Sequence, residues 1–493
     1  MCRHLKIMLL LLVVAFSVSC SLFSMKKTPA AEPPREESPL PLSSSTPSAA
    51  ASLAPSPVAA TPAPAVTTAP AALNTSGPFL AFTGRTGIWI SNPDGSFPTR
   101  LSEIEYQGDL HRAISPTGDR MALVLRTADG MDLVIVQIPG GQTQTIARLI
   151  DITPEEEIGN ATSPKAFATY AIRDYGSLAW QPGEGRLLAF TGAMNGPTAD
   201  LYLYDSSSGE IKQLTNGPSQ AILPQWSPDG QYILHYGVSW VPPFGGAIVG
   251  HNQLNGVWSV RVSDGEVITL PKPKGIQPNF VGWQNDTRYI TYDSDENCYS
   301  RNLRSVDVVS GQTETIMDFS FYYQIAISPE TGDLLFPAAA GCPDSAGEGI
   351  FSLPAGQGTP TIIYDKRAYE VSWLPDSQAF HAYPEGIFTP GDYTHYEPPV
   401  YNSSFSPAIS ITRSQAWKVI QNRQGRVEVR TSGGDWQTVM QGMAAQLIWD
   451  PVYGNTLLIV LENGELYAAT DPAFTPQLMG SLGGRIDQAV VVP

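Results

Sequence analysis

Short apolar runs recur along the chain from residue 78 to its last residues, many alternating apolar and polar positions, and each is cut off by a Gly, Pro or Asp cluster. The fullest copy of the unit lies at 224–270. It opens with Trp226-Ser227-Pro228-Asp229-Gly230, a tryptophan at the end of one strand followed by a Pro-Asp-Gly turn, and continues with an apolar strand at 231–236. After a loop, the stretch 256–262 reads as a third strand, and Ser263-Asp264-Gly265 turns the chain into a last one at 266–270. A period of two bounded by Asp-Gly turns predicts antiparallel strands joined by tight hairpins. Four such strands form a sheet, and a sheet that recurs along a chain is the unit of a radially repeated all-β structure.

The lead-in recurs as Ile114-Ser115-Pro116, Trp180-Gln181-Pro182, Trp283-Gln284-Asn285, Ile327-Ser328-Pro329, Trp373-Leu374-Pro375 and Trp449-Asp450-Pro451. The shortest steps, Gln284 to Ser328 at 44 residues and Gln181 to Ser227 and Ser328 to Leu374 at 46 each, give a period in the forties, which fits one four-stranded blade. These residues resemble the TolB-type, WD-repeat-like propeller repeat. Its later strands and close are matched by Ala189-Phe190, Asp200-Leu201-Tyr202-Leu203-Tyr204-Asp205 and Lys212-Gln213-Leu214-Thr215. The resemblance covers roughly residues 77–493 and implies an all-β propeller without implying an activity.

The folded region, expected at 78–493, begins at Pro78-Phe79-Leu80-Ala81-Phe82-Thr83, already the second strand of a blade, so the first strand of that blade is missing. Ile486-Asp487-Gln488-Ala489-Val490-Val491-Val492 is a strand with no blade after it. Pairing the two closes the ring and removes two exposed edges. Eight blades follow, with seven the first alternative. Nine is also open, because the long seventh unit holds Phe405-Ser406-Pro407 and three strand-like stretches at 417–420, 426–430 and 436–440.

Upstream, Arg3, His4 and Lys6 precede an apolar run at 7–16 and Ser17-Val18-Ser19-Cys20, the pattern of a secretory signal over residues 1–20. Cys20 after small residues resembles a bacterial lipobox, although Ser17 stands where that family prefers leucine. The resemblance implies that Cys20 is lipidated and anchors the protein outside the cytoplasm, at the cell surface or in the periplasm; an ordinary cleaved signal is the alternative. Residues 21–77 are rich in Pro, Ala, Ser and Thr, a composition that offers too little apolar surface to fold, and predict an extended tether.

A net charge of -17 with only 15% charged residues excludes a nucleic-acid partner, which needs clustered Lys and Arg. Cys298 and Cys342 occupy equivalent loops of neighbouring units and, in an oxidising compartment, predict a disulfide; two free thiols are the alternative. The acidic run Asp293-Ser294-Asp295-Glu296-Asn297 begins like a calcium loop, but Cys298 replaces its glycine and Arg304 stands where the closing Glu belongs, so no metal or cofactor is expected.

No zinc-protease His-Glu-x-x-His, Gly-x-Ser-x-Gly elbow or phosphate loop is present. Neither is a paired-carboxylate site evident. Three long connections, at 151–175, 237–255 and 384–406, fall where strand alternation sends them to one end of the ring. Two of them carry Trp240, Phe244, His251, Tyr393, His395, Tyr396 and Tyr401, aromatic groups with polar tips suited to recognition. The expectation is a lipid-anchored, non-catalytic propeller that binds a protein, peptide or glycan through this face. A glycan- or peptide-acting hydrolase or lyase with its site at the channel mouth is the alternative.

Overall fold

The Ser-Pro-Asp-Gly turn shows how the repeated residues build the fold. Gly230 adopts φ +68° and its N–H reaches the Ser227 carbonyl at 2.9 Å, while Ser227 Oγ donates to Asp229 at 2.6 Å and accepts from Tyr232 N–H at 3.0 Å. The positive φ calls for glycine, and the serine and aspartate cap the start of the next strand. Ser115, Gly118 and Asp119 repeat the arrangement: Gly118 N–H bonds to the Ser115 carbonyl at 2.9 Å and Ser115 Oγ to Asp119 at 2.9 Å.

A computed structural model describes residues 72–493 apart from 107, 160–162, 174–175, 242–250, 275–278, 295–299, 319, 322–324, 329–330, 339–346, 356–358, 369, 374–379, 384–385, 389–394, 397–408, 412–416, 424–425, 432–436, 443 and 451–454. It is a β-propeller built of antiparallel sheets in chain order. The first sheet joins Phe79–Gly84, Gly87–Ser91 and Thr99–Ser102 to the C-terminal strand Ile486–Val492, with Leu80 opposite Val491 and Ala81 opposite Val490. The second has the three strands Arg120–Arg126, Gly130–Gln137 and Thr143–Asp151, and its innermost place is held by a single bridge from Ile114 to Met121. Four-stranded sheets follow at 178–213, 220–270, 280–317, 326–364, 370–396, 409–441 and 444–481.

Among the described residues this makes nine sheets, where eight blades were the first expectation and nine was left open. The difference lies in the long seventh unit. Residues 384–406, expected to be a rim connection, contribute Gly386–Phe388 and His395–Tyr396 as the outer strands of the seventh sheet. Ile409–Ile411 then pairs with Trp417–Arg423, so the three strand-like stretches beyond it form a sheet of their own. The spacing misled because the lead-in of that eighth sheet carries neither Trp nor Asp-Gly.

Second strands such as Phe79–Gly84 are buried on both faces, because the first sheet packs against the second on one side and the last on the other. This is why they read as continuous apolar runs in place of an alternation. Shared buried clusters run from sheet to sheet. Leu80 and Phe82 of the first sheet pack with Leu458, Val460, Leu466 and Ala468 of the last. Ile290 and Leu303 of the fifth pack with Phe336 and Leu353 of the sixth.

The repeated tryptophan links neighbours. Trp226 Nε1 donates to the Ala179 carbonyl at 2.7 Å, and Trp180 Nε1 donates to the Ala113 carbonyl at 2.8 Å. In each case the acceptor lies just before the lead-in residue of the preceding sheet.

Residues 151–175 fold into two helices, Pro154–Gly159 and Pro164–Arg173. The first begins with a capping box, Thr153 N–H to Glu156 at 2.9 Å and Glu156 N–H to Thr153 Oγ at 3.2 Å, with Pro154 at its first position. Phe167, Ala168, Ala171 and Ile172 of the second are buried in the core shared with Leu178 and Ile222. The connection is thus a covering element with a core face of its own. Most of 237–255 continues the fourth sheet as a hairpin, in which Tyr232–Val241 pairs along its length with His251–Arg261. Inside the expected tether, Ala72 and Asn74 are already bonded to the Asn92 side chain at 3.2 and 2.8 Å. Among the described residues no helix is long and apolar enough to cross a membrane.

Candidate functional site

The recognition residues expected from the sequence separate into two places. Trp240 and His251 sit on facing strands of the fourth-sheet hairpin, with Trp240 opposite Asn252 and Val241 opposite His251. His395 and Tyr396 form the outermost strand of the seventh sheet, with His395 opposite Phe388. The second pair therefore belongs to a sheet edge, because Gly386–Phe388 and His395–Tyr396 are strands of the seventh sheet. Phe244, Tyr393 and Tyr401 lie outside the described residues, as do Cys20, Cys298 and Cys342.

Asp293, first residue of the calcium-like run, is buried and engaged. It accepts from Lys274 N–H at 2.6 Å, Asn302 at 2.8 Å and the Arg304 guanidinium at 2.5 Å. The arginine that broke the calcium pattern is thus the partner of its first carboxylate. No group of three potential metal ligands occurs among the described residues.

The large concavity at the connection-rich end was not anticipated. It has a volume of about 700 Å³ and lies where the connection between the first two sheets meets the second sheet and the helical connection. Its floor is Arg112, which follows the turn begun by Asp109: the Asp109 carboxylate accepts from His111 N–H at 2.9 Å and starts the short helix Leu110–Ala113. Arg112 Nε donates to the Leu178 carbonyl at 3.0 Å and its terminal nitrogen to the Pro224 carbonyl at 2.5 Å, so one side chain joins the inner strands of the third and fourth sheets. Burial holds the Arg112 pKa below its ordinary value, with Asp109 and Tyr106 opposing that shift. Burial also raises the Tyr106 phenol, and the nearby Asp109 carboxylate adds to it.

Gln488 of the C-terminal strand fixes the other side. It accepts from Leu110 N–H at 2.9 Å and donates to the Gly108 carbonyl at 2.8 Å. Arg126 and Arg173 form the far wall. Glu157 holds them together, at 2.7 Å from Arg126 and 3.3 Å from Arg173, and also accepts from Thr169 at 3.2 Å. Glu103, Glu105 and Asp109 are exposed at the mouth. The hydroxyls of the lining are engaged: Ser177 Oγ donates to the Ile172 carbonyl, and Ser102 Oγ accepts from Ile104 N–H at 3.2 Å. The arrangement can pair with groups of either charge on a rigid base. It was illegible because its residues come from four separate segments with no common spacing.

No protein-family model matches the chain. It is 37% identical over 76 residues to YuxL, an uncharacterised peptidase of Bacillus subtilis (strain 168), and the match covers 13% of this chain and 12% of the peptidase. Similar solved structures include TolB from Acinetobacter baumannii, at 13% identity over 76% of this chain and 82% of that one, with a TM-score of 0.27. An oligogalacturonate lyase in complex with manganese is 10% identical over 73% of this chain and 97% of its own, with a TM-score of 0.39. The two solved structures are β-propellers, as this chain is.

Proposed function

We propose that the protein is a non-catalytic, lipid-anchored recognition module that binds a protein or peptide partner outside the cytoplasm through the connection-rich end of its propeller. The observation that carries this reading is the concavity on Arg112. Its arginines are pre-positioned by Glu157 and by backbone carbonyls, so little side-chain entropy remains to be lost on binding. Its exposed carboxylates at the mouth supply the opposite charge, and paired charges of both signs favour specificity for a peptide bearing both.

The test is a pull-down from the membrane fraction of the source cell with the full-length protein as bait. Wild type is expected to retain a discrete partner that the Glu103→Lys, Glu105→Lys variant loses at unchanged melting temperature. Equal retention by both would contradict the assignment of the face. The anchor is tested separately: Cys20→Ala is expected to release the protein from membranes and to abolish incorporation of labelled fatty acid.

A further inference from the structure

A second concavity, of about 290 Å³, lies between the third and fourth sheets at the same end of the molecule. One wall is Trp258. An added Cβ at Gly237 or Gly256 would come within 2.3 or 2.6 Å of its ring, so the indole lies against the backbone of these two glycines. Each glycine stands two residues from His235 or Trp258 on its strand, and His235 is directly opposite Trp258. The two rings are stacked at 5.6 Å between centroids and 22°. His235 is 4% exposed and lines the cavity; neither ring nitrogen makes a well-formed hydrogen bond, and the Tyr236 backbone is the one polar group that acts on the ring. A buried polar group without a partner is costly to keep.

The facing wall is the connection between the two sheets. Asp200 holds it in shape, with one carboxylate oxygen accepting from Gly217 N–H at 2.7 Å and Thr215 Oγ at 3.1 Å. The other oxygen has a long contact to Gln213, at 3.5 Å, and the Thr198 hydroxyl also bonds to this carboxylate. Asn216 and Ser219 complete this wall.

The geometry points to a binding site for one neutral sugar residue of a glycan, stacked on Trp258 and hydrogen-bonded by its hydroxyls to the second oxygen of Asp200, to Asn216 and to His235. An aromatic platform suits the C–H face of a pyranose, and the ring of donors and acceptors suits its hydroxyl rim. The volume suits a single residue, and the Asp200 carboxylate together with a net charge of -17 disfavours acidic sugars. A proline or aromatic side chain would leave the Asp200, Asn216 and His235 groups unpaired. This inference is independent of the partner surface on Arg112, with which the second concavity shares no lining residue.

The full-length protein would be screened on an array of neutral and acidic glycans and, in parallel, against Pro-rich tetrapeptides, and any hit titrated calorimetrically. A neutral glycan is expected to bind, with at least a tenfold loss of affinity in Trp258→Ala and in Val267→Trp. The second variant adds bulk at a cavity-lining position that is 48% exposed, so it blocks the site without entering the core. Glu103→Lys with Glu105→Lys should leave the affinity unchanged, which separates this site from the partner surface. Absence of any neutral glycan hit, binding of the peptides alone, or glycan affinity unaffected by both Trp258→Ala and Val267→Trp would overturn the proposal.

Discussion

The Arg304 guanidinium lies 2.5 Å from the Asp293 carboxylate inside the fifth sheet, with side-chain exposures of 19% and 4%. Removing one partner of a buried ion pair strands the other charge in a poor solvent, whereas removing both does not. Arg304→Leu is therefore expected to cost ~3–5 kcal/mol in denaturant unfolding. Asp293→Asn added to it should recover a large part of that loss. Calcium should leave the melting temperature of the wild type unchanged, since Asp293 is already engaged.

Lead-in tryptophans should differ in cost according to whether the indole N–H has a partner. Trp226→Phe removes the bond to the Ala179 carbonyl and leaves a buried acceptor, an expected loss of about 1–3 kcal/mol. Trp283 Nε1 is buried without a partner, so Trp283→Phe should cost less in the same measurement, through lost packing against Phe280 and Tyr289 alone. Equal losses at the two positions would show that the rings act through bulk alone.

His235 makes stability depend on pH. Burial pushes its pKa from 6.5 down to about 4, with the adjacent backbone of Tyr236 opposing part of the shift. The unfolded chain then binds a proton that the folded one refuses between these values. The stabilisation is complete above pH 6.5 and is lost as pH falls towards 4, by about 3 kcal/mol in all. His235→Phe should flatten the fall in melting temperature over that window, and a curve parallel to wild type would contradict the burial argument.

The blade repeat was legible because each of its residues has a fixed local task, as the bonds of Ser227, Asp229 and Gly230 show. Pairing of the tail with the first sheet was legible too, since a lone strand and a blade lacking one can satisfy each other. Three features were less so. The eighth sheet was legible only in part: its three later strands stood out, but a lead-in without the usual tryptophan or turn left eight units favoured over nine. The helices at 151–175 carry one local signal, the capping box of Thr153-Pro154-Glu155-Glu156, in a chain otherwise dominated by strands. The Arg112 concavity depends on contacts across hundreds of residues, such as Gln488 to Gly108, which no local pattern encodes.

Photo-cross-linking in the native membrane fraction tests the central claim most directly, with a photoreactive residue placed in the full-length protein either at Glu105, beside the concavity, or at Asp264, in the turn between third and fourth strands at the opposite end of the fourth sheet. The account predicts a discrete adduct with one partner from position 105 and none from position 264. An adduct from 264 alone, or none from either position, would contradict it.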